Sequence, residues 1–223
     1  LLLRMDADTP VDRPPRAPQQ ERGQRRVAQI LDAAAEVFVE HGVGGATMQL
    51  IAERAGASVG SLYHFFPNKL AVLESLGVQM ADRVRRLNEE AMPLSLVHLE
   101  PNALFERVLR AQTVFIEENT AFDAVHRAVQ QHCPTIHESL NQALVGHVSQ
   151  FLALRYPRMP EQQRLAAAMA SVATVHAIID LAALLPTAMR EPVIREAHAM
   201  LVARYSEADA RYGVGATGGG SGV

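Results

Sequence analysis

The chain has 223 residues, 48% of them hydrophobic, a formal net charge of −3 and one cysteine, Cys133. That length allows one large domain or two small ones with a sizeable core. The lone cysteine excludes an internal disulfide framework and fits a reducing cytosol, and the charge offers no bulk basic footprint for nucleic acid.

Trp is absent, alanine is abundant and no alternating strand pattern appears, so the expected class is all-α. Residues 1–22 are rich in Pro, Arg, Asp and Gln and lack periodicity. They read as a disordered arm whose arginines are either solvated or reach DNA backbone or minor groove. The opening LLLRMDAD is too short an apolar run for a signal peptide, and Leu1 is not an initiator Met. No uninterrupted apolar run reaches the roughly 18 residues of a membrane span. The longest, 166–185, is broken by Ser171, Thr174, His176 and Asp180. No membrane association and a cytoplasmic location are expected.

A first helix is predicted over 24–41, with Val27, Ile30, Leu31, Ala34, Val37 and Phe38 as its apolar stripe. The following Gly42-Val43-Gly44-Gly45 is a loop and not a phosphate cradle, because no strand precedes it and no Gly-Lys-Ser/Thr follows. Thr47 is a good N-cap for a second helix, in which Met48, Ile51 and Ala55 recur at helical spacing. Gly56 provides the left-handed exit, and Ser58 caps a third helix two residues later. That helix is expected to bury Leu62 and one or both of Phe65 and Phe66, and to turn Ser61, Tyr63 and His64 outward. Small residues at Ala52, Gly56 and Ala57 let the two helices cross closely, as in a helix-turn-helix. Gly60 leaves backbone open to phosphate, and Tyr63 and His64 are placed to donate to phosphate or touch base edges. Asn68 caps the next helix, where Lys69 would set an ammonium beside the amide-rich N-terminus and attract an anion.

Thr47, Ala52, Ala55-Gly56, Ser58, Gly60-Ser61-Leu62-Tyr63, Phe66 and Asn68-Lys69 together resemble the DNA-binding domain of the TetR family of bacterial repressors. The likeness extends back to Gln24. The alternative is a helical hairpin inside an unrelated all-α core. By the resemblance, Thr47, Ser58, Val59, Gly60, Ser61, Tyr63, His64 and Lys69 fall on DNA-contacting positions. Val59 cannot hydrogen-bond through its side chain, and Phe65 stands where some relatives have histidine. The third helix has no Arg, Lys, Asn or Gln for bidentate base contacts, so shape and deformability are expected to carry much of the specificity. Residues 1–69 hold eight basic and eight acidic side chains. The local basic residues are Arg22, Arg25, Arg26, Arg54 and Lys69.

Further helices are predicted over 68–91, 101–119, 122–132, 134–156, 161–185 and 192–210, punctuated by prolines. That makes nine, the number the resemblance implies. The expected organisation is an arm (1–22), a helix-turn-helix domain (23–69), a ligand-binding and dimerisation domain (70–210) and a glycine-rich flexible tail (211–223). Apolar stripes run along the last two helices: Leu165, Met169, Val172, His176 and Ile179; Ile194, Ala197, Leu201 and Tyr205. By the resemblance this pair joins its two-fold mate as a four-helix bundle.

The resemblance also implies a regulator, here a repressor of a palindromic double-stranded DNA operator, released by a small apolar effector. Candidate lining residues are Phe115, Phe122, Val125, Phe151 and Met169, each equally readable as core. His176 and Asp180 share a helix face and line a pocket, pin the dimer seam, or form a satisfied core pair. His132, Cys133 and His137, with His126 nearby, bear metal-ligating groups, but Pro134 breaks their register and no fourth ligand is evident. No metal or cofactor is expected. No nucleophile–base spacing or catalytic motif supports an enzyme. A helical ligand-binding protein with a vestigial DNA head is the second reading.

Overall fold

The structure is a computed structural model that describes residues 17–119 and 121–213. Of the segments read as arm and tail, residues 1–16 and 214–223 lie outside the described residues. Within them the chain forms nine α-helices, one short 3-10 turn at Leu94–Leu96 and no strand, as the all-α expectation requires.

Helix α1 spans Ala17–Gly45, with a break at Gly42, whose φ of 62° and ψ of 173° are not helical. It starts earlier than its apolar stripe suggests, so residues 17–22 are helix and not arm. Residues 19–22 are good helix formers uninterrupted by Gly or Pro. Ile30, Leu31, Ala34, Val37 and Phe38 are buried. They pack against α2, Met48–Arg54, and share one core with Leu62 of α3, Val59–Phe65.

The turn between α2 and α3 is closed by two bonds, Ala57 N–H to the Ala52 carbonyl at 2.8 Å and Gly56 N–H to the Glu53 carbonyl at 3.1 Å. This is a Schellman exit, and it needs a left-handed residue where Gly56 has φ 56°. Helix α4, Lys69–Ala91, runs from this head into the rest of the molecule. Its buried residues Val72, Leu73, Leu76, Met80 and Val84 join the head's core to that of α6 and α7. At Gly77 a Cβ would stand 2.9 Å from Val129 Cγ2, so α4 crosses α6 with no room for a methyl group. Helix α6 spans Phe122–His132 and α7 spans Pro134–Arg155.

A second core gathers Leu104 and Phe105 of α5, Pro101–Glu118, with Phe151 and Leu152 of α7, and Leu201 and Tyr205 of α9, Thr187–Tyr212. Its lower edge is held by buried Arg155. The guanidinium donates to both Asp209 carboxylate oxygens, at 2.8 and 2.6 Å, and to the Val97 and Leu99 carbonyls at 2.7 and 2.6 Å. A buried fork with every arm engaged is costly to break, about 3–5 kcal/mol for loss of one partner. Helix α9 begins five residues before Pro192, where the sequence reading placed its start. Pro192 lies inside the helix and forgoes one bond to the carbonyl of Ala188 in an exposed first turn, which Met189 N–H anchors on the Pro186 carbonyl at 2.8 Å.

Helix α8, Glu161–Leu184, is apolar on nearly every face. Over Glu161–Leu181 it has the length and mean hydropathy, 1.4, of a membrane span, although only 11% of its most apolar stretch is buried. The polar residues that interrupt it do not lower that average enough. Leu165, Met169, Leu181 and Leu184 stand exposed on it, and Met200 on α9 is 69% exposed.

Candidate nucleic-acid interface and internal cavity

The outward face of α3 is built by two side-chain caps. Thr47 Oγ1 accepts the Leu50 N–H at 3.2 Å, and Ser58 Oγ accepts the Ser61 N–H at 3.1 Å. Each cap contributes about 1 kcal/mol. Leu62 and Phe66 are buried beneath, whereas Phe65 is half-buried. Above them Val59, Gly60, Tyr63 and His64 are exposed, Tyr63 by 52%. Nothing lies within 4 Å of a Cβ added at Gly60. Ser61 is half-buried, less outward than expected.

Three basic residues of the head, Lys69, Arg54 and Arg26, are engaged within the chain. Lys69, expected to offer its ammonium to an anion, instead donates to the carbonyls of Val43, Ala46 and Gly44 at 2.6, 2.9 and 3.2 Å. An ammonium has three donors and no more, so Lys69 closes the end of α1 with all three. Arg54 is held by Glu40 at 2.6 Å and Glu36 at 2.9 Å. Arg26 caps the end of α2 on the Gly56 carbonyl at 3.1 Å. Arg22 and Arg25 remain exposed, the latter only loosely paired with Glu21 at 3.6 Å.

Between the two cores lies a cavity of about 70 Å³. Val84 and Asn88 of α4, Met92 just after it, Gln112 of α5, Phe122 and His126 of α6, Phe151 of α7 and Val172 and His176 of α8 are among its walls. Of the expected lining residues, the structure therefore brings together Phe122, Phe151 and His176. Phe115 and Val125 are core side chains, and Phe115 sits edge-on to Phe122 at 5.2 Å. Met169 is 55% exposed on the far face of α8. Asp180 is outside the walls and places its carboxylate 3.8 Å from His126 Nε2. A helix apolar all round gives no phase by which to choose a lining face for Met169.

The suspected His132–Cys133–His137 cluster does not form. His132 is exposed, and Cys133 is buried in the first core, where burial pushes its thiol up. His137 turns instead toward His126 and His176, with ring centroids 5.7 and 6.4 Å away. No group of three or more His, Cys, Asp or Glu among the described residues is arranged to hold a metal ion. Burial holds His126 below the usual histidine range despite Asp180. His176 is pushed down to about 4, by burial first and then by His126 and His137.

Residues 30–76 match the sequence model of bacterial regulatory proteins of the tetR family, and residues 101–203 match that of the tetracyclin repressor-like C-terminal domain. The HTH-type transcriptional regulator SrpR of Pseudomonas putida is 49% identical over 47 residues, 21% of this chain and 22% of that protein. The chain thus aligns with about a fifth of that curated relative's length. A TetR-like regulator from Rhodococcus sp. RHA1 superposes with a TM-score of 0.59 at 23% identity, over 88% of this chain and 99% of that one. The SmeT–triclosan complex does so at 0.62 and 21%, over 81% and 91%. At such identities the solved structures speak for the fold alone. The two sequence models together span more than half of the chain. The chain belongs to the TetR family of bacterial regulatory proteins, whose members regulate transcription and are not enzymes.

Proposed function

We propose that this protein is a homodimeric repressor that binds a palindromic operator through α3 and releases it when a small apolar effector enters the cavity. The observation that carries the reading is the face of α3. The side chains of Tyr63 and His64 are exposed and make no hydrogen bond among the described residues, while everything beneath them is capped, turned and packed to hold them there. A short helix so presented suits a major groove.

The dimer is supported by α8 and α9. Leu165, Ala166, Met169, Ala170, Ala173 and Ala177 form an exposed apolar stripe at helical spacing. Exposed continuous apolar surface marks an interaction site, and the small residues admit another helix closely. A two-fold mate covers such a face with its own copy. This also accounts for the span-like hydropathy of α8 without a membrane, and it agrees with a cytoplasmic location.

Release runs through α4. Its Val84 and Asn88 wall the cavity, while Lys69 and Asn68 at its other end fasten the α1–α2 loop and the start of the helix itself. A dry cavity of about 150 Å³ holds benzene, so an effector must widen this one. It favours the wider state and shifts the spacing of the paired heads only through that unequal affinity. SmeT, of the same fold, was solved with triclosan, which supports a small apolar effector here.

One observation favours a second reading, a ligand-binding protein whose DNA head is vestigial: Arg26, Arg54 and Lys69 are all engaged with partners in the chain. Selection from random duplexes, followed by binding titrations over a range of salt, separates the two. Enrichment of a palindrome whose log affinity falls with log salt supports the repressor. Recovery of no preferred sequence supports the vestigial head.

A further inference from the structure

A second void lies beside the central cavity. Its volume is about 50 Å³, and Leu109 and Ile116 of α5, Ile178 of α8 and Ile194 of α9 are among its walls. Gln112, Val175 and Ile179 line both spaces. A single layer of side chains therefore partitions them, with Val175 and Ile179 a turn apart on α8 and Gln112 on α5. Along α5 the central cavity reaches from Leu104 to Gln112, and the second void from Leu109 to Ile116. At a helix rise of about 1.5 Å per residue, the two together run for roughly 18 Å.

Long and narrow space discriminates between ligand shapes. A dry cavity that takes one benzene ring measures about 150 Å³, and neither space approaches that. A ring must force the walls of one void apart. An extended methylene chain needs only the partition to give way. Gln112 holds that partition weakly: among the described residues its one side-chain hydrogen bond, to Asn88 Oδ1, is 3.4 Å long, beyond the usual N–H···O range. The second void has only Gln112 and Thr113 as polar members of its wall, so it is a place for hydrocarbon. Asn88, His147 and His176 line the central cavity instead, His176 with no hydrogen bond among the described residues. No Asp, Glu, Lys or Arg among the described residues lines either space. His176, pushed down to about 4, and His126, also lowered, are uncharged at neutral pH and offer no cation to a carboxylate.

We infer that the two spaces form one site for an uncharged, unbranched aliphatic chain, with its neutral polar end in the central cavity and its tail between α5, α8 and α9. The inference rests on the reading of the central cavity as the effector site. Gln112 is the side chain that swings aside, and the length of the chain sets its affinity, by about fourfold for each methylene buried.

The test is a methyl NMR titration of the full chain, labelled at isoleucine and without DNA, using 1-butanol, 1-octanol and 2-cyclohexylethanol. The last has the carbon count and hydroxyl of 1-octanol with a ring in its chain. 1-Octanol is expected to shift the methyls of Ile178 and Ile194 together with Ile179, which lines both spaces. 1-Butanol, too short to cross the partition, is expected to shift Ile179 alone of the three. 1-Octanol should bind about tenfold more tightly than 2-cyclohexylethanol, the worth of one to two buried methylenes. Ile178→Trp fills the second void and should cut the advantage of 1-octanol over 1-butanol by about tenfold. Should that variant fail to fold, the wild-type shifts and affinities decide. Equal binding of 1-octanol and 2-cyclohexylethanol, 1-octanol shifts that stop at Ile179, an undiminished chain-length advantage in folded Ile178→Trp, or no binding of 1-octanol overturns the inference. Operator binding, measured separately, distinguishes the two levels. Operator binding without the chain preference removes only the ligand class, and the chain preference without operator binding removes only the repressor.

Discussion

Lys69 Nζ stands 2.6 Å from the carbonyl oxygen of Val43, and the Gly44 and Ala46 carbonyls take its two other protons. The first residue of α4 thus closes the end of α1 and ties the connecting helix to the head. A positive charge at the edge of a DNA-reading unit proves to be an internal fastener. Lys69→Met removes a charged donor from three carbonyls and is expected to lower stability by about 2 kcal/mol. It should leave the slope of log affinity against log salt unchanged, whereas removing a phosphate contact reduces that slope by about 1. Urea unfolding and a salt series on operator DNA check the two halves.

Tyr63 is 52% exposed, and its side chain makes no hydrogen bond among the described residues. Tyr63→Ala is therefore expected to change stability by less than about 0.5 kcal/mol. It should weaken operator binding about tenfold or more, as loss of a base or phosphate contact worth about 1–3 kcal/mol does. Anisotropy titrations beside thermal melts measure both effects. An equal fall in stability and affinity would place Tyr63 in the packing and not in the reading.

The dimer face makes its own prediction. Ala173 lies mid-way along the exposed stripe of α8. Ala173→Glu places like charges across a two-fold axis and buries them there, which costs several kcal/mol per ion unless they are paired. Sedimentation equilibrium is expected to show dimer for the wild type and monomer for the variant. Operator binding should fall with the dimer although residue 173 is far from α3 in sequence. A wild-type monomer in solution contradicts the arrangement.

His176 titrates at about 4, against an ordinary value of 6.5, because burial and two neighbouring imidazoles disfavour its charge. The unfolded chain thus binds this proton more readily than the folded one. The stability that goes with neutral His176 is fully present above about pH 6.5 and is lost as pH falls toward 4, by about 3 kcal/mol in all. His126, lowered for the same first reason, acts in the same direction. Denaturant midpoints between pH 7.5 and 5 are expected to fall, and to fall less steeply in His176→Phe.

The caps were legible in the sequence and the clamps were not. Thr47, Ser58 and Asn68 each accept an N–H three residues ahead, a relationship local enough to read from spacing. So was the left-handed exit at Gly56. Lys69 and Arg26 reach carbonyls 23 to 30 residues away, and nothing local distinguishes them from phosphate contacts. The cavity follows the same division. Phe122, Phe151 and His176 were anticipated as lining. Asn88, Gln112 and His147 were not, because a polar residue in an apolar wall shows only once its partner on another helix is known. Met169 was misplaced since α8 offers apolar residues on all sides. His126 was noticed beside a suspected metal cluster, where only its burial on α6 reveals what it faces.

Hydroxyl-radical footprinting on a selected operator tests the central claim most directly. Two exposed copies of α3, carried by a two-fold dimer, should protect a pair of symmetric patches on one face of the duplex, with centres about one helical turn, roughly 34–36 Å, or a whole multiple of it apart. Tyr63→Ala should erase both patches together. A single protected patch, patches on opposite faces, or protection that survives in Tyr63→Ala would contradict it.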